Sequence, residues 1–584
     1  MVRRLFAMPL GAIVVVSFAL GLSPAIRGQD APSLEQKVDA MFAKWTATTP
    51  GCAVGVSSGG RIVLDKAYGM ADLEHDARNV ADTIFEAGSV SKQFTAAAVL
   101  LLAREGKLLL DDPVRKYIPE LPDYRMTGGT PVPQGSTPVP RGGTPVPRRG
   151  STPITIRHML QHTSGLRDWG EIEAIAGWPR TSRVYTHAHV LDIVSRQKAL
   201  NFEPGTNWSY CNTGYNLAVI LVSRVSGQMF ADFCRTRIFE PLGMTRTSWR
   251  DDFKRVVKGR AIAYEGGRAG YRQDMPFENV HGNGGLLTTV GDLLRWNENA
   301  VTQKVGDAEF LRIEQEPGRF TDGRAHDYAM GLFIRTYKGL PEVNHSGSTA
   351  GYRAYLTRYP GQHLSVAVLC NVSSGTAERY AHAVADLYLG DAIKPAAGGL
   401  TGGDDVLITD TMKSRAGMYR NTVTGTVLTI LFEKTSFRLE GGAAPANLLV
   451  PLTDQTFESF NGDRTFRFEP GGRLSVASQN GTTRRLERVE PATPTLQDLK
   501  VFPGTYVSDE AEVTLQVIVE GGVLKVTRRP EAKLTLRPLY KDAFAAQGLG
   551  VVRFHRGANG AVSGLSVTLD RVWDLRFARV SPRT

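Results

Sequence analysis

The segment Phe85–Arg104, FEAGSVSKQFTAAAVLLLAR, opens with small and polar residues and then turns apolar without a break. That composition predicts a helix from about Ser89, buried on most of its sides. Ser89 and Lys92 stand three positions apart, so on a helix they share one face. A lysine in an apolar helix has few inert uses. Burial weakens its preference for the charged state, and an amine beside a hydroxyl can help to remove the hydroxyl proton. Ser89 could instead cap the helix by accepting from first-turn amides. Ser-x-x-Lys is a short and common pattern, so the rest of the chain has to decide.

The chain has 584 residues, enough for three or four domains, and 42% hydrophobic and 22% charged residues, as in a folded soluble protein. Sixty-one glycines and 31 prolines point to many turns and a sizeable β content. Residues 1–29 carry Arg3 and Arg4, an apolar run from Leu5 to Leu22 and then small residues, the layout of a signal peptide cleaved near Ser23–Gln29. Export to the periplasm or the outside follows as the expectation. An uncleaved N-terminal anchor is the lesser alternative, because Pro9 interrupts the run. The net charge of +11 would suit an anionic envelope or an acidic substrate, or serve solubility alone. No basic run with interleaved aromatics is present, so no nucleic-acid partner is expected. Four cysteines do not make a disulfide framework in a chain this long, and no Cys/His group has zinc-ligand spacing. Cys52 and Cys370 lie in strand-like stretches. Buried thiols are the simplest reading, and a bridge between them requires those strands to be neighbours.

Outward from the helix, GCAVGVSSGGRIVLDKAYGMA (51–71) reads as a hairpin turning at Ser58-Gly59-Gly60. A Pro/Gly-rich insert at 126–153 repeats Thr130, Thr137 and Thr144 at a period of seven, with Thr152 following. Such a tract is expected to be extended and solvated. In GLLTTVGDLLRWNENAV, Leu286, Leu293 and Leu294 suit one helix face. YAMGLFIRT, RAYLTRYP and LSVAVLCNV look like strands, and AERYAHAVADLYLG like a closing helix. A hairpin near 55 and strands near 330–370 thus flank a largely helical middle. This order predicts an α+β domain over 33–392, with one antiparallel sheet built from both ends of the domain and covered by helices.

A Gly/Ala-rich linker at 393–410 follows, and the remainder repeats itself. Gly417 and Gly504 each precede a tyrosine by two, and Phe457 and Phe544 keep the same offset. Two copies of short strands and turns predict two small antiparallel β-barrels of the lipocalin-like kind, at 411–492 and 497–584.

Three further segments bear on Ser89. Tyr210-Cys211-Asn212 precedes an apolar helix, His345-Ser346-Gly347 leads into a strand, and His162, Ser164 and Gly165 sit in QHTSGLRDW. Singly, Tyr210 would be a packing residue, Asn212 a cap and His345 a surface residue, and a structural role is favoured for His162 and Ser164. In this order, Ser89-x-x-Lys92, Tyr210-x-Asn212 and His345-x-Gly347 resemble the serine β-lactamase and penicillin-recognising family. The second element marks its class C-like branch, which includes DD-carboxypeptidases, D-aminopeptidases and esterases. GKLLLDDPVRKYIPELP, HTSGL and GGLLTTVGDLLRW are also similar to that branch. The resemblance spans about residues 35–390.

The resemblance implies a β-lactamase/transpeptidase-like fold and a serine hydrolase working through an acyl-enzyme, with no metal or cofactor. Ser89 would be the nucleophile, Lys92 its electrostatic partner and Tyr210, as phenolate, the base. Asn212 would orient Lys92 and touch the substrate. The amides of Ser89 and Ser348 would form the oxyanion hole, with Gly347 keeping the strand edge open. His345 stands where the family's lactamases carry lysine. A histidine there is only partly charged near pH 7, which favours small peptide amides or esters over β-lactams. A β-lactamase is the first alternative. A non-catalytic protein that binds peptidoglycan fragments or β-lactams, in association with the cell envelope, is the alternative of another class.

Overall fold

A computed structural model describes residues 32–124, 152–179, 182–267, 270–394, 408–441, 447–460, 462–479 and 481–580. The proposed signal peptide, most of the Thr-Pro-Val-Pro insert and most of the linker lie outside the described residues.

Six antiparallel strands form the main sheet. The first hairpin supplies β1 (Cys52–Ser58) and β2 (Arg61–Tyr68). The later segment supplies β3 (Phe333–Tyr337), β4 (Leu340–Thr349), β5 (Tyr352–Tyr359) and β6 (Leu364–Cys370). Their order is β3-β4-β5-β6-β1-β2, so the two ends of the domain meet at the β6–β1 pairing. Gly59 and Gly60 turn the hairpin with φ of 54° and 77°, a conformation that favours glycine. The register sets Cys52 opposite Cys370, and the two are joined in a disulfide, so the buried-thiol reading of this pair gives way to the bridge. Cys211 and Cys234 are buried thiols.

Alternation along β1 and β6 feeds two cores. Val54, Val56, Val366 and Val368 face α1 (Leu34–Phe42) and α6 (Ala377–Leu389), where Phe42, Ala381 and Val384 receive them. Ala53, Ala367 and Leu369 face the other way, toward α5 (Val290–Thr302) and the helical middle. The helix read from Phe85–Arg104 is α2 (Ser91–Arg104), buried from Ser91 to Leu102. Its apolar surface on every side reflects that central position. Leu286 departs from expectation: it lies in a short strand, Leu286–Thr288, while Leu293 and Leu294 lie in α5. Thr289 caps that helix by accepting from the Asp292 amide, which fixes its start after the leucine.

The C-terminal third forms two closed eight-stranded antiparallel barrels, as the repeat predicts. One runs from Gly417–Asn421 to Thr483–Val489, the other from Gly504–Ser508 to Leu575–Val580. In each, the first strand pairs with the last, Tyr419 opposite Arg488 and Tyr506 opposite Arg579. The repeated glycines explain themselves. Gly417 (φ 148°) and Gly504 (φ 156°) lie against the guanidinium groups of Arg488 and Arg579, where a Cβ would come within 2.9 and 2.8 Å. The repeated tyrosines are buried, and each hydroxyl donates four residues back, to Arg415 O at 2.8 Å and to Phe502 O at 2.6 Å.

Candidate active site

The chain reaches α2 through a single 3-10 turn, Gly88–Val90, which places Ser89 ahead of the α-helix. Ser89 caps nothing. The turn is held instead by Ser91, whose hydroxyl donates to Gly88 O at 2.5 Å and accepts from the Leu286 amide at 3.1 Å. Gly88 has a φ of 50°, and a Cβ there would come within 2.6 Å of the Ser348 nitrogen. A Cβ on Gly347 would come within 2.0 Å of Ala87 O and 3.1 Å of the Ser89 nitrogen. The two glycines therefore let the nucleophile turn and β4 touch backbone to backbone. β3 pairs with β4 only as far as Asn344, so residues 345–349 lie past the end of β3.

Lys92 is fully buried one turn on. Its ammonium donates to Ser89 Oγ at 3.2 Å, Asn212 Oδ1 at 2.9 Å and the Asn283 carbonyl at 2.7 Å. Three oxygen acceptors thus surround the ammonium, a setting that favours its charge. It also lies 4.7 Å from the centre of the Tyr210 ring. Asn212 opens α4 (Asn212–Ser226), and its amide donates to Asp168 Oδ2 at 2.7 Å. Asp168 in turn caps α3 (Trp169–Ile175), accepting from Gly170 and Glu171. These contacts bring Ser89, Lys92, Tyr210, Asn212, Gly347 and Ser348 together, and the His345 ring lies 6.3 Å from that of Tyr210.

Two electrostatic expectations change. His345 is 1% exposed and its pKa is lowered to about 3, mainly by burial and then by Lys92. Its Nδ1 faces the Ser346 carbonyl at 2.6 Å, and its Nε2 meets the Tyr328 hydroxyl at 3.0 Å. The first requires N–H and the second leaves a lone pair, so the imidazole is neutral at pH 7 and offers no cation to a carboxylate. Tyr210 is protonated at rest: burial pushes its pKa up, while a hydrogen bond with Ser89 and the charge of Arg571 pull against that rise. His162 has the structural place expected. It is buried, its Nδ1 accepts from the Cys211 amide at 3.1 Å, and its ring lies 4.3 Å from that of Tyr210.

Sequence reasoning missed the second barrel's share of the site. The loop 569–574, between its last two strands, reaches the start of α3. The Arg571 amide donates to Glu171 Oε2 at 2.8 Å, and its carbonyl accepts from the Asp168 amide at 3.2 Å and Asn201 Nδ2 at 2.9 Å. The Arg571 guanidinium lies over the Tyr210 ring, 4.8 Å from its centre. Arg167 secures the same loop, donating to the Trp573 and Asp574 carbonyls and pairing with Glu510 at 2.7 Å. The first barrel contributes a wall. A cavity of about 230 Å³ beside Tyr210 is lined by Trp208, Thr424, Arg484, Asp570 and Trp573 among others. A second, of about 740 Å³, opens along Ser346–Ser348 toward Arg353 and Arg379. No local pattern marks Arg571 or Asn283, because only the fold brings them to α2.

Comparison with known proteins agrees with this geometry. A D-aminopeptidase of Brucella melitensis is 26% identical over 564 residues, 92% of this chain and 97% of its own. A D-aminopeptidase of Brucella anthropi is 27% identical over 332 residues, and that match spans 56% of this chain and just over half, 57%, of the relative. The penicillin-binding protein homologue of Pyrococcus abyssi, an octamer, shares the fold with a TM-score of 0.52 at 23% identity, over 78% of this chain and 98% of its own. Residues 34–390 match the family model described as Beta-lactamase, which is more than half of the sequence, and the chain belongs to that family.

Proposed function

We propose that this protein is a serine hydrolase that cleaves small peptide amides or esters through an acyl-enzyme on Ser89, in the manner of a D-amino-acid peptidase, carboxypeptidase or esterase. The observation that carries the reading is the Lys92 ammonium, buried 3.2 Å from Ser89 Oγ and 4.7 Å from the Tyr210 ring centre. In the reactive form Tyr210 has released its resting proton to solvent and stands as phenolate; Ser89 Oγ attacks the carbonyl carbon and its proton passes to that phenolate oxygen. Tyr210 returns that proton to the departing amine or alcohol. Water then attacks the acyl carbon, gives a proton to Tyr210, and Ser89 leaves with a proton regained. The Ser89 and Ser348 amides face the developing oxyanion, a contribution worth about 100- to 1000-fold per donor. Lys92, already committed to three acceptors, acts as a fixed charge.

A neutral His345 supports peptides and esters over β-lactams, since no permanent cation stands at that position. The names of the Brucella relatives support an amide of a D-amino acid as the first substrate to try. Export is part of the proposal. The signal-like residues 1–29 support it, as does the Cys52–Cys370 bridge, because such bonds persist in oxidising compartments. The deciding experiment combines fluorophosphonate labelling with a panel of D-amino-acid amides, acyl-D-Ala-D-Ala peptides, p-nitrophenyl esters and a cephalosporin. Labelling lost in Ser89→Ala, with turnover of an amide or ester, is the expected outcome. Faster turnover of the cephalosporin would make the protein a β-lactamase, and an unlabelled, inert native protein would make it a binding protein.

A further inference from the structure

We propose that Arg571, delivered to the cleft by the second barrel, is a positioning residue that prepares Tyr210 to take the proton of Ser89. The inference rests on the reading of Tyr210 as the base. Two cations meet the Tyr210 ring, Lys92 at 4.7 Å and Arg571 at 4.8 Å. They are not equivalent. Lys92 is engaged by Ser89, Asn212 and Asn283, so its charge is shared among three polar partners. The Arg571 guanidinium feels the carboxylates of Asp168 and Glu171 through space, and its ion pair with Asp570, at 4.0 Å, is at the outer limit of such contacts. Its closest aromatic partner is the Tyr210 ring.

The backbone of the loop, rather than the reach of the side chain, sets this position. Asp168, Glu171 and Asn201 bind Arg571 through its own amide and carbonyl, and Asn201 also accepts from the Trp573 amide at 2.8 Å. Among the described residues, the other titratable groups around Tyr210 are the Asp168 carboxylate, the His162 and His345 imidazoles, the Cys211 thiol and the phenols of Tyr215 and Tyr328, with Asp570, Arg484 and Arg485 on the walls of the adjoining cavity. Both imidazoles have pKa values pushed far down by burial, and both phenols have values pushed far up. Among the described residues, Lys92 and Arg571 are the two cations that lie over the Tyr210 ring itself. A cation over the ring favours the phenolate, whose charge spreads into the ring, over the neutral phenol. Arg571 thus lowers the demand that burial places on proton transfer from Ser89 to Tyr210.

The test is a double-mutant cycle between Arg571→Met, which removes the charge at similar length, and Tyr210→Phe. Rates on a neutral ester are normalised to folded protein, measured from the amplitude of the thermal unfolding transition, so misfolded protein does not count. Arg571→Met alone should lower kcat/KM about 10-fold below the alkaline plateau and move the rising limb of the pH profile up by about one unit, the size of one nearby charge. Arg571→Lys should restore most of both. Added to Tyr210→Phe, Arg571→Met should change the residual rate less than twofold, because the group it acts through is gone. An equal loss in both backgrounds, or a loss confined to KM for carboxylate-bearing substrates with the pH limb unmoved, would overturn the proposal. Full activity in Tyr210→Phe would instead remove the base assignment itself, a different failure from a silent Arg571→Met in an enzyme that needs Tyr210.

Discussion

The two barrels are built alike and attached differently. Both close eight strands, and both place a glycine, a buried tyrosine and an arginine at the same corner: Gly417, Tyr419 and Arg488 in one, Gly504, Tyr506 and Arg579 in the other. Yet the first barrel has a core of its own, in which Phe437, Phe457, Phe466 and Leu474 pack on one another. The core of the second, with Phe502, Tyr506, Leu515 and Phe554, is continuous with that of the hydrolase domain around α2. The polar contacts follow the same division. Among the described residues, the first barrel meets the hydrolase domain at Gly481, whose carbonyl accepts from Arg324 at 2.9 Å. The second sends in Glu510, Arg528, Arg529 and the loop at 569–574. One copy of a duplicated unit kept an independent interior, while the other became part of its neighbour's.

The largest test of that difference is Glu510→Ala. The Arg167–Glu510 pair is 1% and 6% exposed on its two sides, and removing one partner leaves a buried charge uncompensated, at a cost of about 3–5 kcal/mol. The thermal midpoint of the hydrolase domain and turnover should fall together, since Arg167 also holds the 569–574 loop.

A smaller effect concerns pH. Glu171, which accepts from the Arg571 amide, has a pKa raised to about 7 by burial first and Asp168 second. The folded state therefore holds a proton that the unfolded state has released between about pH 4.5 and 7. Stability contributed by this group is present at the acid end and lost as pH rises through about 7, on the order of 1–2 kcal/mol after discounting its part exposure. Glu171→Gln should flatten that slope in melting curves recorded from pH 5 to 8. An unchanged slope would detach the titration from the docking.

Tyr419→Phe and Tyr506→Phe each remove one hydroxyl that donates to a backbone carbonyl, at about 1 kcal/mol. Calorimetry should show the first change in a separate barrel transition and the second in the transition of the hydrolase domain. Arg324→Ala should be the mildest, within about 0.5 kcal/mol. If it cost as much as Glu510→Ala, the two barrels would be equally docked and the contrast would fail.

These attachments mark the boundary of what the sequence discloses. Ser89 and Lys92 are legible because a helical spacing joins them, and Tyr210-x-Asn212 because it opens the next apolar helix. The barrels are legible because Gly417 and Gly504 answer the same steric need at the same offset. The charge of His345 is not, since it depends on burial and on Tyr328 and Lys92, which only the sheet and α2 bring near. Arg571 is less legible still: as one arginine in a barrel turn, it acquires meaning only when that barrel docks. Leu286 shows the local limit, where an apolar periodicity runs past the cap that ends it.

The Cys52–Cys370 bridge joins residues 318 positions apart and so ties the first strand of the sheet to the last. Ser89, Lys92, Tyr210, Asn212 and His345 all lie within the ring of chain that it closes. A protease cutting once anywhere in that ring, the Thr-Pro-Val-Pro insert included, leaves two polypeptides on one covalent body. The nicked protein would migrate as one species until reduced, with every proposed catalytic group still tethered to its partners.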